Sequence, residues 1–365
     1  MKAAGSRFYF PILSLNQVPF GLAASRPLDP GGILRLTPEG IHCPAGGFHV
    51  DPRRPVARAV VTHAHADHAR PGSGAYLCAS AGAAILRERV GGERSPPIEG
   101  QAFGESRKVG EVRLSFHPAG HLLGSAQVRV EKDGYVCVVS GDYKRDPDPT
   151  AETFEPVRCD SFFTECTFGL PAYRWPDPGE VAREINDWWR GNRERGVTSV
   201  LFAYALGKAQ RLLSLVDDSI GPVGVHGAVA RFSPHYARAG APLARHRRIT
   251  VENRDEFRGK GLVVAPGSAA GTPWLRRFQP LSTAFASGWM RIRGNRRRRA
   301  LDRGFVVSDH VDWPGLLRTI RETEAGFVGA MHGFTGPLAR YLRETGLEAI
   351  EVEGFQERDD PTEES

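Results

Sequence analysis

Two rhythms of apolar residues divide the chain. Between residues 33 and 165, short β-branched and aromatic runs recur between turn-forming residues. They predict strands at 57–62 (ARAVVT), 112–119 (VRLSFHPA), 126–132 (AQVRVEK), 135–142 (YVCVVSGD) and 161–166 (SFFTEC). One helix interrupts them, ASAGAAILRERVG at 79–91, stopped by Gly91. From about residue 175 the pattern changes. PGEVAREINDWWRGNRERG (178–196) spaces Val181, Ile185, Trp188 and Trp189 at helical intervals, with proline at its start and Gly196 at its end. Trp188 and Trp189 could stack bases, but on an amphipathic helix at least one reads better as core. Strand TSVLFAY, helix GKAQRLLSLVDD, strand PVGVHG and strand GLVVAPG follow, and such alternation predicts a parallel sheet. Past residue 303 come GFVVSDH, WPGLLRTIRETE, GFVGAMHG, GPLARYLRETG and LEAIEVEG.

The expected organisation is therefore an N-terminal arm (1–30), a β-rich part (31–174), a parallel α/β insert (175–300), a return (301–355) and an acidic tail (356–365). A chain of 365 residues, 41% hydrophobic and 25% charged, can bury one large core or two joined ones. Its net charge of +6 suits an anionic substrate without specifying one. Five cysteines without a CxxC pair argue against a disulfide framework and for a reducing cytoplasm. No run approaches the roughly 20 apolar residues of a membrane span. The apolar start of the chain is broken by Asn16, Gln17 and prolines, and reads as an extended arm rather than a signal peptide.

The stretch VVTHAHADHARPG (60–72) adds chemistry. His63, His65, Asp67 and His68 crowd four lone-pair donors into six positions, an arrangement that desolvation opposes unless a cation sits among them. Nitrogen with carboxylate suits zinc or another first-row divalent ion. Four such groups exceed what one tetrahedral ion takes from one loop, so two ions are expected, Zn²⁺ first and Mn²⁺ next. Further candidates lie at strand ends: His121 in PAGHLLGSAQ, Asp142 in VVSGDYKRD and His332 in VGAMHGFTG. His42, His49, His117, His226, His235 and His246 occupy no matching context and read as ordinary histidines.

The pattern HxHxDH, then a glycine-flanked His, then a strand-end Asp, resembles the metallo-β-lactamase fold. That resemblance implies an αββα sandwich. It also implies one ion held by His63, His65 and His121, another by Asp67, His68 and His332, and Asp142 bridging them. Nearly 190 residues separate Asp142 from His332, and Glu165, His310 and His332 mark this gap in an order that resembles the β-CASP nucleases. Within these, FAYALGKAQRLL, YRWPDP, DWWRGNRERG and SGWMRIRG are similar to the bacterial DNA-ligase-associated exonucleases, over roughly residues 30 to 355. The resemblance implies a metal-dependent DNA exonuclease in DNA repair, partnered by an ATP-dependent DNA ligase and a helicase, acting on single strands or duplex ends. Asp67, Asp142, Glu165 and His310 would be its catalytic residues.

Phosphodiester hydrolysis needs an activated water, neutralised phosphate charge and a proton for the leaving oxygen. Two ions supply the first two, and Glu165 with His310 can supply the third. Phosphate contacts are expected from Lys208 at a helix start, Ser268 in APGSAAGT, and Arg291 and Arg293 in RIRGNRRRR. Two rival readings share the metal motif. One is an RNA-processing endonuclease or 5′-exoribonuclease. The other is a small-molecule hydrolase of the lactamase or thioesterase type, against which the insert argues.

Overall fold

A computed structural model of the protein describes residues 26–292 and 301–353. Residues 1–25, most of the expected arm, lie outside the described residues, as do Arg293 with the rest of 293–300 and the tail at 356–365.

Two seven-stranded sheets pack face to face. The first runs in chain order from Arg26–Pro27 to Ile98–Gln101. The second has Phe327–Gly333, Ser161–Cys166 and Tyr135–Val139 as parallel neighbours, continued by the antiparallel strands Ala126–Lys132 and Val112–Pro118. Between the sheets, Leu34, Ile41, Phe48 and Val60 of the first meet Leu114, Phe116, Val128 and Phe163 of the second. Because side chains alternate along a strand, Phe162 points the other way from Phe163. It packs among Leu316, Ile320, Leu338 and Leu342 of helices Trp313–Thr323 and Thr335–Glu344. Helix Ala83–Val90 covers the outer face of the first sheet through Ile85, Leu86 and Val90. The layering is thus αββα, as expected.

A third sheet is inserted in sequence between Ser161–Cys166 and Phe327–Gly333. All six of its strands are parallel, and strand Thr198–Phe202 sits near its middle. Helices cover it: Val181, Ile185, Trp188 and Trp189 lie on one face, and Phe257 and Phe278 lie on the other. Both tryptophans are buried, in agreement with the core reading.

Two local expectations change. GFVVSDH is strand only over Arg303–Phe305, which pairs with Leu281–Ala286 of the third sheet rather than with the sandwich. Apolar patterning cannot say which sheet a three-residue strand joins. Helix Gly227–Arg238 had no counterpart in the sequence reading, and Pro234 lies inside it. The helix forms because Val229, Phe232 and Tyr236 are buried along one side.

Candidate active site

The polar side chains converge where several strands end. Strands Val112–Pro118, Tyr135–Val139, Ser161–Cys166 and Phe327–Gly333 run in one direction, so the loops bearing His121 and Asp142, and the strand-end residues Glu165 and His332, emerge on the same edge. His63, His65, Asp67 and His68 follow strand Arg58–Val60 of the facing sheet. Gly120, with φ 77°, lets the His121 loop lie against the Asp142 loop: a Cβ there would stand 2.3 Å from the Lys144 carbonyl. His332 owes its aim to a bulge. Glu165 pairs with Met331 and Cys166 with Gly333, leaving His332 as the extra residue, with φ 52°.

The distal nitrogens of four imidazoles are occupied. His63 Nδ1 lies 3.1 Å from the Thr62 hydroxyl, His65 Nε2 lies 3.2 Å from the Leu206 carbonyl, and His121 Nδ1 lies 2.8 Å from the Asp309 carbonyl. His68 Nδ1 is 2.7 Å from Asp51 Oδ2. A carbonyl only accepts, so His65 Nε2 and His121 Nδ1 carry protons. In neutral rings the opposite nitrogens, His65 Nδ1 and His121 Nε2, are then lone pairs 3.1 Å apart, and cannot bond one another. His63 Nε2 lies 3.1 Å from the same His65 Nδ1. Burial, reinforced by the neighbouring His310 and His65, pushes His121 down to about 3. Burial, with His68 next to it, likewise holds His63 well below the usual histidine range.

A cation among these nitrogens would resolve this conflict. Asp142 Oδ2 stands 3.5 Å from His63 Nε2 and 3.7 Å from His121 Nε2. Ligands at zinc distances in a tetrahedron are about 3.3 Å apart, and the four separations bracket that value. On the other side, the same Asp142 oxygen is 3.5 Å from His68 Nε2, which is 3.4 Å from Asp67 Oδ2. The His332 ring stacks on His68 with centroids 5.1 Å apart. His68 Nε2 and Asp142 Oδ1 are buried yet make no hydrogen bond. Burial opposes charge on His68, but Asp67, Asp142 and Asp51 outweigh it and raise its proton affinity. Such a proton holds the place a cation would take. The donor set fits a divalent metal ion. His63, His65, His121 and Asp142 form one compact group and Asp142, Glu165 and His310 another. Asp67, with its side chain 48% exposed, lies at the rim.

Glu165 is fully buried beside this centre. Its Oε1 accepts from His310 Nδ1 at 2.9 Å and from the Tyr143 amide at 3.3 Å, and its Oε2 accepts from the Thr167 amide at 3.0 Å. The ring of His310 is 4.8 Å from that of His121. His310 Nδ1 is thus held by Glu165 while the ring faces His121.

Asp51 was not singled out in the sequence, although it also ends a strand, in HVDP. Its buried carboxylate binds the Thr62 amide at 2.8 Å, the Thr62 hydroxyl at 2.5 Å and His68. The expected phosphate contacts scatter. Lys208 is buried: its ammonium lies 3.6 Å from Asp309 Oδ2 and 4.3 Å from the Tyr204 ring centroid, so it is not presented to solvent. Ser268 is exposed in the turn Gly267–Ala269, and Arg291 is exposed at the end of the turn Gly288–Arg291. All five cysteines are buried and unbridged. Among the described residues no helix is long and apolar enough to cross a membrane.

No protein-family model matches the chain. The chain is 30% identical over 312 residues, 85% of its length, to a protein from Opitutus terrae named "Probable DNA ligase", of which it covers 30%. It is 27% identical over 199 residues to "Endoribonuclease ysh-1" of Neurospora crassa, covering 50% of this chain and 22% of that protein. It is 23% identical over 275 residues to "Transcription termination factor FttA" of Lokiarchaeum sp., covering 64% of this chain and 43% of that one. The chain thus spans less than half the length of each of these relatives. A crystal structure of a protein of unknown function from Enterococcus faecalis V583 superposes with a TM-score of 0.54 at 12% identity, over 84% of this chain and 80% of the other. The α/β fold is metallo-β-lactamase-like, with a parallel α/β insert.

Proposed function

We propose that the protein is a metal-dependent phosphodiesterase acting on nucleic acid and, within that class, a DNA exonuclease of the ligase-associated β-CASP group. One observation carries the reading: ring nitrogens of His63 and His121 each stand 3.1 Å from His65 Nδ1, with an Asp142 oxygen against both His63 and His121 and the Glu165–His310 pair alongside. Two divalent ions, when bound, supply an activated water near neutral pH and neutralise the phosphate. His63, His65 and His121 would hold one, Asp67, His68 and His332 the other, and Asp142 both. The nitrogen-rich set favours zinc, with manganese as the alternative. Glu165 fixes the His310 ring and its tautomer, so that Nε2 can hold a proton for the departing oxygen. The DNA assignment rests on the similarity that extends over most of this chain to the ligase-named protein. It makes a DNA ligase and a helicase the expected partners, and repair the expected setting. Five unbridged cysteines suit a cytoplasmic location.

The similarity to an endoribonuclease favours RNA as the second reading. The test is hydrolysis of 5′- and 3′-labelled single-stranded DNA and RNA with zinc or manganese. Stepwise shortening of DNA, at least tenfold faster than RNA cleavage, is the expected result. The opposite order would overturn the DNA assignment.

A further inference from the structure

A group of aromatic rings spans the junction between the sandwich and the third sheet, beside Glu165 and His310. Phe168 forms its buried centre. Its ring lies 4.8 Å from each of Tyr173, Trp175 and Trp289. Phe334, two residues past the ring of His332, closes the group at 6.0 Å from Tyr173 and 6.4 Å from Trp289. Contact with the reactive centre is direct. The Phe168 ring is 5.9 Å from that of His310, and Trp175 Nε1 donates to the His310 carbonyl at 2.8 Å. The packing requires Gly288, where a Cβ would fall 2.6 Å from Phe168 and 3.0 Å from Trp175.

Not all of these rings are covered. Phe168 and Tyr173 are buried, whereas Trp175, Trp289 and Phe334 keep part of their surface in solvent. Arg174 and Arg291 stand exposed on the same two segments as the tryptophans. Aromatic faces set among guanidinium groups bind single-stranded nucleic acid, with charge holding the backbone and the rings holding the bases. Inside a duplex the bases are stacked on both sides and leave no face for a ring.

We propose that Trp289, together with Trp175 and Phe334, is a stacking platform for an unpaired nucleobase beside the bond being cut. The proposal rests on the nuclease reading and narrows its substrate to single strands and frayed ends. Trp289 is then a binding and specificity residue.

The test compares wild type, Trp289→Ala and Trp289→Phe as metal-loaded full chains. Two labelled strands are used, of whichever backbone the wild type cleaves. One carries every base. The other has the same length and charge but lacks the bases around the cut. Wild type should show a KM about tenfold lower for the complete strand. Trp289→Ala should abolish that ratio by raising KM for the complete strand about tenfold, and Trp289→Phe should retain most of it. If wild type cleaves neither strand, the nuclease reading fails. If wild type cleaves and the ratio survives in Trp289→Ala, the platform is refuted while the nuclease reading stands. An equal loss on both strands, with a lowered Tm, would assign the rings to packing alone and would also refute it.

Discussion

The Asp51 carboxylate reaches His68 from a backbone with φ 42°, a conformation that is unfavourable for a residue with a Cβ and is tolerated best by Asn and Asp. It fixes the imidazole so that Nε2 faces Asp67 and Asp142. Asp51→Asn should weaken metal retention about 10- to 100-fold, read by chelator competition on the purified protein. Unchanged retention would deny Asp51 this role. Glu165→Gln and His310→Ala should instead keep the metal and lower kcat by about 10²–10⁴. Loss of metal in either variant would place the pair among the ligands. The sequence made His63 to His68 legible because lone-pair donors so close together have few other uses. Asp51 was not legible, since a lone carboxylate before a proline looks like any turn residue. The aim of His332 depends on one extra residue in a strand, which residue patterning does not carry.

At the scale of elements, helix Lys208–Leu215 locks the insert to the sandwich. Arg211 Nε lies 3.3 Å from Asp148 Oδ2, and its Nη1 lies 3.3 Å from Asp309 Oδ1. Lys144 Nζ lies 2.8 Å from Asp148, and Lys208 approaches Asp309. All five groups are buried. The lock bears on the site because the Asp309 carbonyl holds His121 and the Leu206 carbonyl, just before the helix, holds His65. Removing one member leaves charges unpaired. Arg211→Ala should therefore destabilise the protein by about 3–5 kcal/mol in urea unfolding. A loss below 1 kcal/mol would mean that water or a rearranged Lys208 replaces the guanidinium. The helix itself was legible from its apolar spacing. Its charges were not: Lys208 looked like a phosphate contact at a helix start, and only its partner Asp309, about a hundred residues away in sequence, explains its burial.

Across the whole molecule, the strand–helix rhythm sufficed to read a β-rich part and a parallel α/β insert, whose buried strands write long apolar runs, whereas the sandwich was implied by the resemblance that the metal motifs carry. Strand Arg303–Phe305 was too short to assign. The buried lock also sets an acid limit for the fold. Burial alone would raise Asp309 and Asp148, but Lys208 and Arg211 on the first, and Lys144 and Arg211 on the second, outweigh it and lower both. A carboxyl group lowered in the folded state contributes stability that is fully present above its unfolded value, about 4, and is lost as pH falls through the folded value. Tm should stay level down to about pH 5 and fall below about pH 4, and Asp309→Asn should soften that fall. An unchanged acid limb in the variant would contradict the assignment. The most direct test of the central claim is the metal content of the purified protein, measured alongside strand hydrolysis before and after chelation. The account predicts two divalent ions per chain, loss of hydrolysis with their removal, recovery on restoring zinc or manganese, and neither binding nor activity in Asp142→Ala. Undiminished hydrolysis by the metal-free chain would contradict it.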